Sequence, residues 1–391
     1  MKSTRNFFRF ILIVVCLAGC MRAVPRAPEP SAALTLARMD GIDLADDLNY
    51  ELLDAAIEHS LKYFDGPGRS NVYRLADRLI NVDTIKESLY SFREIMQSSV
   101  NDEKKKARIS SVFDFYRASG TDGDGGVLFT GYYEPLLYGS LTRTEKYKYP
   151  LYKPPPDIIV QPTAKNAARI TRKKNGEFVP YYTRREIDIE GVLRDKNMEL
   201  LWVADPVELF TLHVQGSGKI QLENGTMLTV SYAQNNGRPF SSVTKAMLEG
   251  NKIGKSESSY RNFKIFLKSR SEKELLEILS NNERYIFFRL VDGQPVGALG
   301  EPVTADRSIA IDPDYFPQGA LAFIRLRKPV FDAEGNIKTR ISFSRFVLSQ
   351  DKGSAIKGPG RIDLFCGFGK NAQSTAGSLK EKGELYFLIK K

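Results

Sequence analysis

The chain has 391 residues, 42% of them hydrophobic, with 57 Lys and Arg against 47 Asp and Glu for a net charge of +10. That length and apolar share can bury a substantial core in one large domain or two, and the basic balance suits an anionic partner. Three cysteines are too few for a scaffold stapled by disulfides.

Lys2, Arg5 and Arg9 precede or interrupt an apolar stretch from Phe7 to Leu17, closed by Leu17-Ala18-Gly19-Cys20. The stretch is short for a bilayer span and has the flanks of a secretory leader, so residues 1–20 are expected to be a signal peptide and not an uncleaved anchor. The small-residue site ending in Cys resembles the bacterial lipobox, which makes Cys20 the expected lipidated first residue. Acyl chains on Cys20 would hold the protein to the periplasmic face of a Gram-negative outer membrane, because Met21 and Arg22 lack the acidic signal for inner-membrane retention. Residues 21–45 read as a flexible, proline-bearing tether, with folding expected to begin near Asp43. Cys366 is then the one thiol left. An exported chain of this charge meets peptidoglycan and lipid head groups before any nucleic acid.

From Asp47 to Ser119 the apolar spacing is helical, with Leu52, Leu53, Ala56, Ile57 and Leu61 on one face and Ile85, Leu89, Phe92 and Ile95 on another. Three or four helices are predicted before the first strand. The turn from Gly120 to Gly126 leads into the strand-like run Val127 to Pro135. Strands are predicted over Leu200–Val203, Leu209–Val214 and Met227–Tyr232, and helices return between Ser241 and Leu279, one opening on the capping box Ser271 to Glu274. From Tyr285 onward the sequence predicts short β segments, at Tyr285–Val291, Ser308–Ile311, Ala320–Leu326, Ile341–Leu348 and Glu384–Ile389, with the look of a small barrel.

Some motifs fail on their chemistry. Gly250 to Ser256 is one residue short of a phosphate-binding loop, and Asp122 to Gly126 lacks the third acidic ligand and closing Glu of a calcium loop. His59 and His213 have no cysteine partners and no paired-histidine helix, so no metal is expected. His213 alternates with Phe210 and Leu212 and reads as a satisfied strand residue. No serine elbow or Ser-His-Asp set is present, and Cys366 reads as packing. What remains is Asp351 and Asp363, carboxylates set among glycines and strand-like residues.

The runs FTGYYEP at 129–135, HVQGSG at 213–218, SYAQNNG at 231–237, RSIAIDP at 307–313, YFPQGA at 315–320, and DKGSAIKG with RIDLFCG at 351–367 together resemble the membrane-bound lytic transglycosylase A family, from about residue 50 to the end. The resemblance implies a mainly β protein with N-terminal helices, an α+β fold. A double-psi β barrel would be built from 46–135 with 286–391, the latter a three-Asp module. A smaller β-barrel-like domain would be inserted at 136–285, with the substrate groove between them. It further implies an exo-acting lytic transglycosylase that cuts the β-1,4 bond between N-acetylmuramic acid and N-acetylglucosamine, leaving 1,6-anhydromuramyl ends. The partners would be glycan strands and, through Cys20, the outer membrane, for a monomer without cofactor that could join cell-wall synthesis complexes.

By motif position Asp363 matches the family's catalytic Asp and Asp351 its companion, a like charge or hydrogen-bond donor site able to raise the acid's pKa. Asp351 before glycine also reads as a turn residue, and Asp312 before Pro313 reads as structural. Thr130, Tyr132, Tyr133, Gln215, Ser217 and Lys357 are the expected sugar contacts, with Gly131, Gly216 and Gly218 allowing close backbone approach. Cys366 departs from the polar or larger residue expected beside Asp363. Two rivals are a true endoglycosidase, using Glu134 or Asp351 as second carboxylate, and a non-catalytic lipoprotein that only binds peptidoglycan.

Overall fold

The computed structural model describes residues 32–38, 42–162, 168–254, 260–333 and 336–391. The expected leader, its Cys20, the start of the tether, and Lys255 and Ser256 lie outside the described residues.

Six strands close into a ring: Val127–Glu134, Arg361–Phe368, Ser308–Ala310, Ile337–Asp351, Leu321–Phe331 and Lys380–Lys390. The last strand closes it by changing partner along its length. Glu384 to Phe387 pair with Ala322 to Arg325, whereas Lys380 to Gly383 pair with Val127 to Thr130. Gly383 marks the change: a Cβ there would lie 2.5 Å from the Arg325 carbonyl and 2.7 Å from Leu326. Two neighbouring pairs are parallel, Arg361–Phe368 with Val127–Glu134 and Ser308–Ala310 with Ile337–Asp351. Ile362, Leu364, Phe323 and Phe387 are all buried in one continuous core. The barrel and mixed α+β character agree with the expected fold class.

Helices Tyr50–Asp65 and Val82–Gln97 plug this core with Leu53, Ile57, Phe64, Ile85, Leu89 and Phe92. Asn81 caps the second through the Thr84 amide, a signal the hydrophobic spacing alone does not carry. Leu52 departs from the expected face and is exposed. Strands also come earlier than predicted: Leu34–Ala37 pairs with Phe113–Ala118, and a Val72–Leu75/Arg78–Asn81 hairpin separates the helices. Order therefore begins before Asp43, inside the stretch assigned to the tether.

After Glu134 the chain enters a second sheet, ordered Ile286–Val291, Met227–Asn235, Ser217–Leu222, Leu136–Ser140, Glu199–Val203, Tyr149–Tyr152. Its end strands contact each other without a hydrogen-bonded ladder among the described residues, a sheet curled but not sealed. Ile286–Val291 belongs here, paired with Met227–Asn235, so the return to the barrel falls after Val291 and not at 286. Helices Val243–Glu249, Tyr260–Lys268 and Glu272–Leu279 add a small core, the last opening on the predicted Ser271 capping box.

The predicted strand Leu209–Val214 is instead part of helix Pro206–Gln215. Asp205 accepts from the Val207 and Glu208 amides, Pro206 occupies the first turn, and Gly216 ends the helix in the left-handed region at φ 86°. The Asp-Pro start and Gly stop outweighed a β-prone apolar run.

Candidate active site

Strand register places the two carboxylates. Ala310 is the partner of Asp351 on one side and of Asp363 on the other, and Asp363 in turn faces Thr130. Directly opposed residues point to the same side of a sheet, and two strand spacings separate the Asp351 and Asp363 Cα atoms by about 10 Å. A register slip of one residue would send either carboxylate to the opposite face.

Asp351 is tied by three donors: Tyr132 Oη at 2.8 Å to Oδ2, and the Lys352 and Ala298 amides at 2.8 and 3.0 Å to Oδ1. Burial nevertheless raises its pKa above the ordinary carboxylate value, outweighing those bonds and the Lys352 charge. Asp363 has one strong partner, the Thr130 hydroxyl, which donates to Oδ1 at 2.6 Å. Burial pushes Asp363 up to about 6, opposed by the Thr130 bond and the Arg361 charge and helped by the Asp351 charge. Arg361 is fixed by donating to the Ala355 carbonyl at 3.1 Å, with Nη2 3.5 Å from the Thr130 hydroxyl.

Thr130 and Tyr132, expected as sugar contacts, thus spend their hydroxyls on the carboxylates. Thr130→Val removes a bond that favours the ionised form. The pKa of Asp363 should rise, and a pH–rate profile should show its alkaline limb displaced upward; an unmoved limb would separate Thr130 from the acid.

Tyr133 is also reassigned. It is buried with Cys366, Ala372 and Ala376, and its amide donates to Gln215 Oε1 at 3.0 Å across the junction of the two domains. The helix Gly369–Ser378, which the sequence reading missed, supplies those alanines. Gly131 lies against it, where a Cβ would sit 2.8 Å from Ala376 Cα and 3.1 Å from Cys366 Sγ. The glycine admits the helix and not the glycan, and the same crowding favours a residue as small as Cys366. Gly216 is a helix cap, and Gly218 closes on Leu212 and the Pro135 carbonyl.

Between barrel and insert runs a groove of about 1300 Å³, larger than the usual small-molecule pocket. Tyr132, Asp351 and Lys357 line it from the barrel, and Gln215, Ser217, Tyr232 and Arg289 from the insert. Gln215, Ser217 and Lys357 therefore reach the groove. Asp312 is buried, accepting from the Gly358 amide at 2.8 Å and the Asp314 amide at 3.3 Å, and so pins the loop that carries Lys357.

His213 sits in its helix edge-on to Tyr285 and Phe288, with Nδ1 accepting from the Ile286 amide at 3.2 Å. Burial and Arg184 drive its pKa well below the ordinary imidazole value, leaving a neutral packing residue. Glu134 is 3% exposed at the junction, and burial raises it to about 7 against the charge of Lys219. Sealed from water, it is badly placed to activate a hydrolytic water.

The family model described as the MltA specific insert domain matches residues 128–289, and the 3D domain matches 307–389. The membrane-bound lytic murein transglycosylase A of Escherichia coli (strain K12) is 30% identical over 277 residues, covering 70% of this chain and 69% of that protein. Its Vibrio cholerae counterpart is 27% identical, covering 69% and 67%. Among solved structures, a membrane-bound lytic murein transglycosylase from Agrobacterium tumefaciens superposes with TM-score 0.73 at 25% identity, over 92% of this chain and 98% of that one. E. coli MltA with bound chitohexaose follows the same fold at TM-score 0.69 and 23% identity, over 91% and 94%.

Proposed function

This chain belongs to the membrane-bound lytic murein transglycosylase A family, and from that premise we propose that it is a peptidoglycan lytic transglycosylase in which Asp363 is the single acid and base. The observation that carries the assignment is Asp363 itself, a carboxyl raised to about 6 that shares Ala310 as strand partner with Asp351, which lines the groove of about 1300 Å³.

In the protonated state Asp363 gives its proton to the glycosidic oxygen as the C1–O bond of the muramyl residue breaks. The electron pair leaves with the N-acetylglucosamine hydroxyl, and positive charge develops at C1. An ordinary glycosidase needs a second carboxylate at this point, as nucleophile or as base for water. Here the C6 hydroxyl is on the same sugar, and its high effective concentration replaces water. It bonds to C1 while Asp363, now a carboxylate, takes its proton, so the enzyme ends as it began and no water is consumed. Asp351, held by three donors, is the fixed negative charge that helps keep Asp363 protonated. Tyr132 and Thr130 act through these carboxylates as positioning residues, and Gln215, Ser217 and Lys357 are groove contacts.

The two-domain division is a barrel from residues up to 135 and after 291, and an insert at 136–291. Membrane association comes with the family. Among the described residues no helix is long and apolar enough to cross a bilayer; what supports attachment through a lipidated Cys20 at the outer membrane is the lipobox-like run Leu17-Ala18-Gly19-Cys20.

Mass spectrometry of products from purified sacculi, digested by the chain lacking residues 1–20, tests the reading. Anhydromuramyl ends are expected. Products heavier by one water would mean hydrolysis and a second catalytic carboxylate. A protein that stays on the sacculus and releases nothing would be a binding lipoprotein.

A further inference from the structure

Four cations line the groove: Arg284 and Arg289 from the insert, Lys352 and Lys357 from the barrel. Among the described residues none of the four makes an ion pair, in a chain whose other arginines commonly do, as Arg345 does with Asp47 and Asp306. Arg289, Lys352 and Lys357 are exposed. Arg284 is half-buried and spends one donor on the Arg238 carbonyl, and burial pulls its pKa down. Three acids share the groove, and two of them are committed: Asp351 to Tyr132 and two amides, Asp312 to the amides of Gly358 and Asp314. Among the described residues only Asp314 stands exposed in the groove as an opposing charge. The groove thus presents unpaired positive charge on both walls.

The sugar rings of the substrate carry no charge that requires this. The peptides hanging from the muramyl residues do, since each bears free carboxylates along its length. We propose that these four side chains read the stem-peptide carboxylates, so that the enzyme prefers peptide-bearing glycan to stripped glycan. The inference rests on the peptidoglycan reading above and names the part of the substrate that the walls recognise. Unpaired cations cost nothing to release from internal partners, and exposed contacts of this kind act chiefly on encounter and on KM, with strong dependence on salt. Arg284 and Arg289 flank the start and middle of strand Ile286–Val291, on the far wall from Asp363, so their effect is on binding and not on the proton transfer.

The test compares intact peptide-bearing strands with strands stripped by an amidase, which keep only the lactyl carboxylate. Wild type is expected to show kcat/KM about tenfold higher on peptide-bearing strands at low salt, the ratio shrinking as salt rises. Arg289→Gln combined with Lys357→Gln should lower the ratio about fivefold, through KM. Binding of both strand types by Asp363→Asn, with neutral chitohexaose as a third ligand, gives the same comparison without turnover. Equal affinity for peptide-bearing and stripped strands, or a ratio insensitive to salt and to both substitutions, overturns the proposal. If wild type cleaves neither strand, the transglycosylase reading fails instead, and the binding series still decides whether the walls read peptide.

Discussion

Asp363→Asn is expected to cut turnover at least about 10³-fold at pH 6, because one side chain serves both proton transfers and each is worth about 10²- to 10⁴-fold. The same variant should be more stable than wild type at neutral pH. An acid whose folded pKa is raised, here from 3.8 to about 6, binds its proton more tightly in the folded state. The stability this gives is complete below pH 3.8 and is lost as pH rises through about 6. By pH 7.5 the buried carboxylate costs at most about 3 kcal/mol, a cost that the neutral Asn does not carry. Denaturant unfolding at pH 7.5 and pH 4 checks this, with the stabilisation expected at the higher pH and little difference at the lower. An inactive variant with unchanged stability at both would mean that Asp363 is not held in a desolvated place. The wild-type rate should fall as pH rises through about 6, as the protonated fraction declines.

The barrel was legible where its strands are apolar and sequential, as in Leu321–Phe331 and Ile337–Asp351. Its closure was not, because Lys380–Lys390 changes partner between Gly383 and Glu384 and no local pattern records which distant edge a strand will meet. Asp363 and Asp351 stood out because carboxylates among β-prone residues and glycines must find partners. What those partners are depends on register: Thr130 lies 233 positions away in sequence and Tyr132 lies 219 from Asp351. A tyrosine and a threonine in a matched motif look like sugar contacts until the register assigns their hydroxyls. Helix Gly369–Ser378 was invisible for another reason: with Ala372 and Ala376 as its buried residues it has almost no apolar periodicity, and it is held by close approach to Gly131. Helix Pro206–Gln215 could have been found, since Asp205 and Pro206 are a start signal and Gly216 a stop.

Asp46→Ala is expected to destabilise the protein by about 3 to 5 kcal/mol, the cost of leaving a buried charge without its partner. Arg307 is wholly buried and has Asp46 Oδ2 at 2.6 Å, with the Phe346 and Asn49 carbonyls as its other acceptors. Asp46 also accepts from the Phe346 amide at 2.9 Å, while the Asp47 amide donates to the Ser344 carbonyl, so residues 45–49 clasp the outside of strand Ile337–Asp351. Arg307 immediately precedes the strand whose Ala310 separates the two carboxylates. Losing the clasp should therefore loosen the spacing of Asp351 and Asp363, and activity should fall at temperatures below the unfolding transition. Asp46→Ala with Arg307→Met removes both charges and should recover more than half of the lost stability, since an apolar side chain can fill the vacated space without a desolvation cost. A loss under about 1 kcal/mol in the single variant would show that water reaches Arg307. Recovery of stability without recovery of rate would separate the two roles of the clasp, burying a charge and holding the strand that spaces the carboxylates.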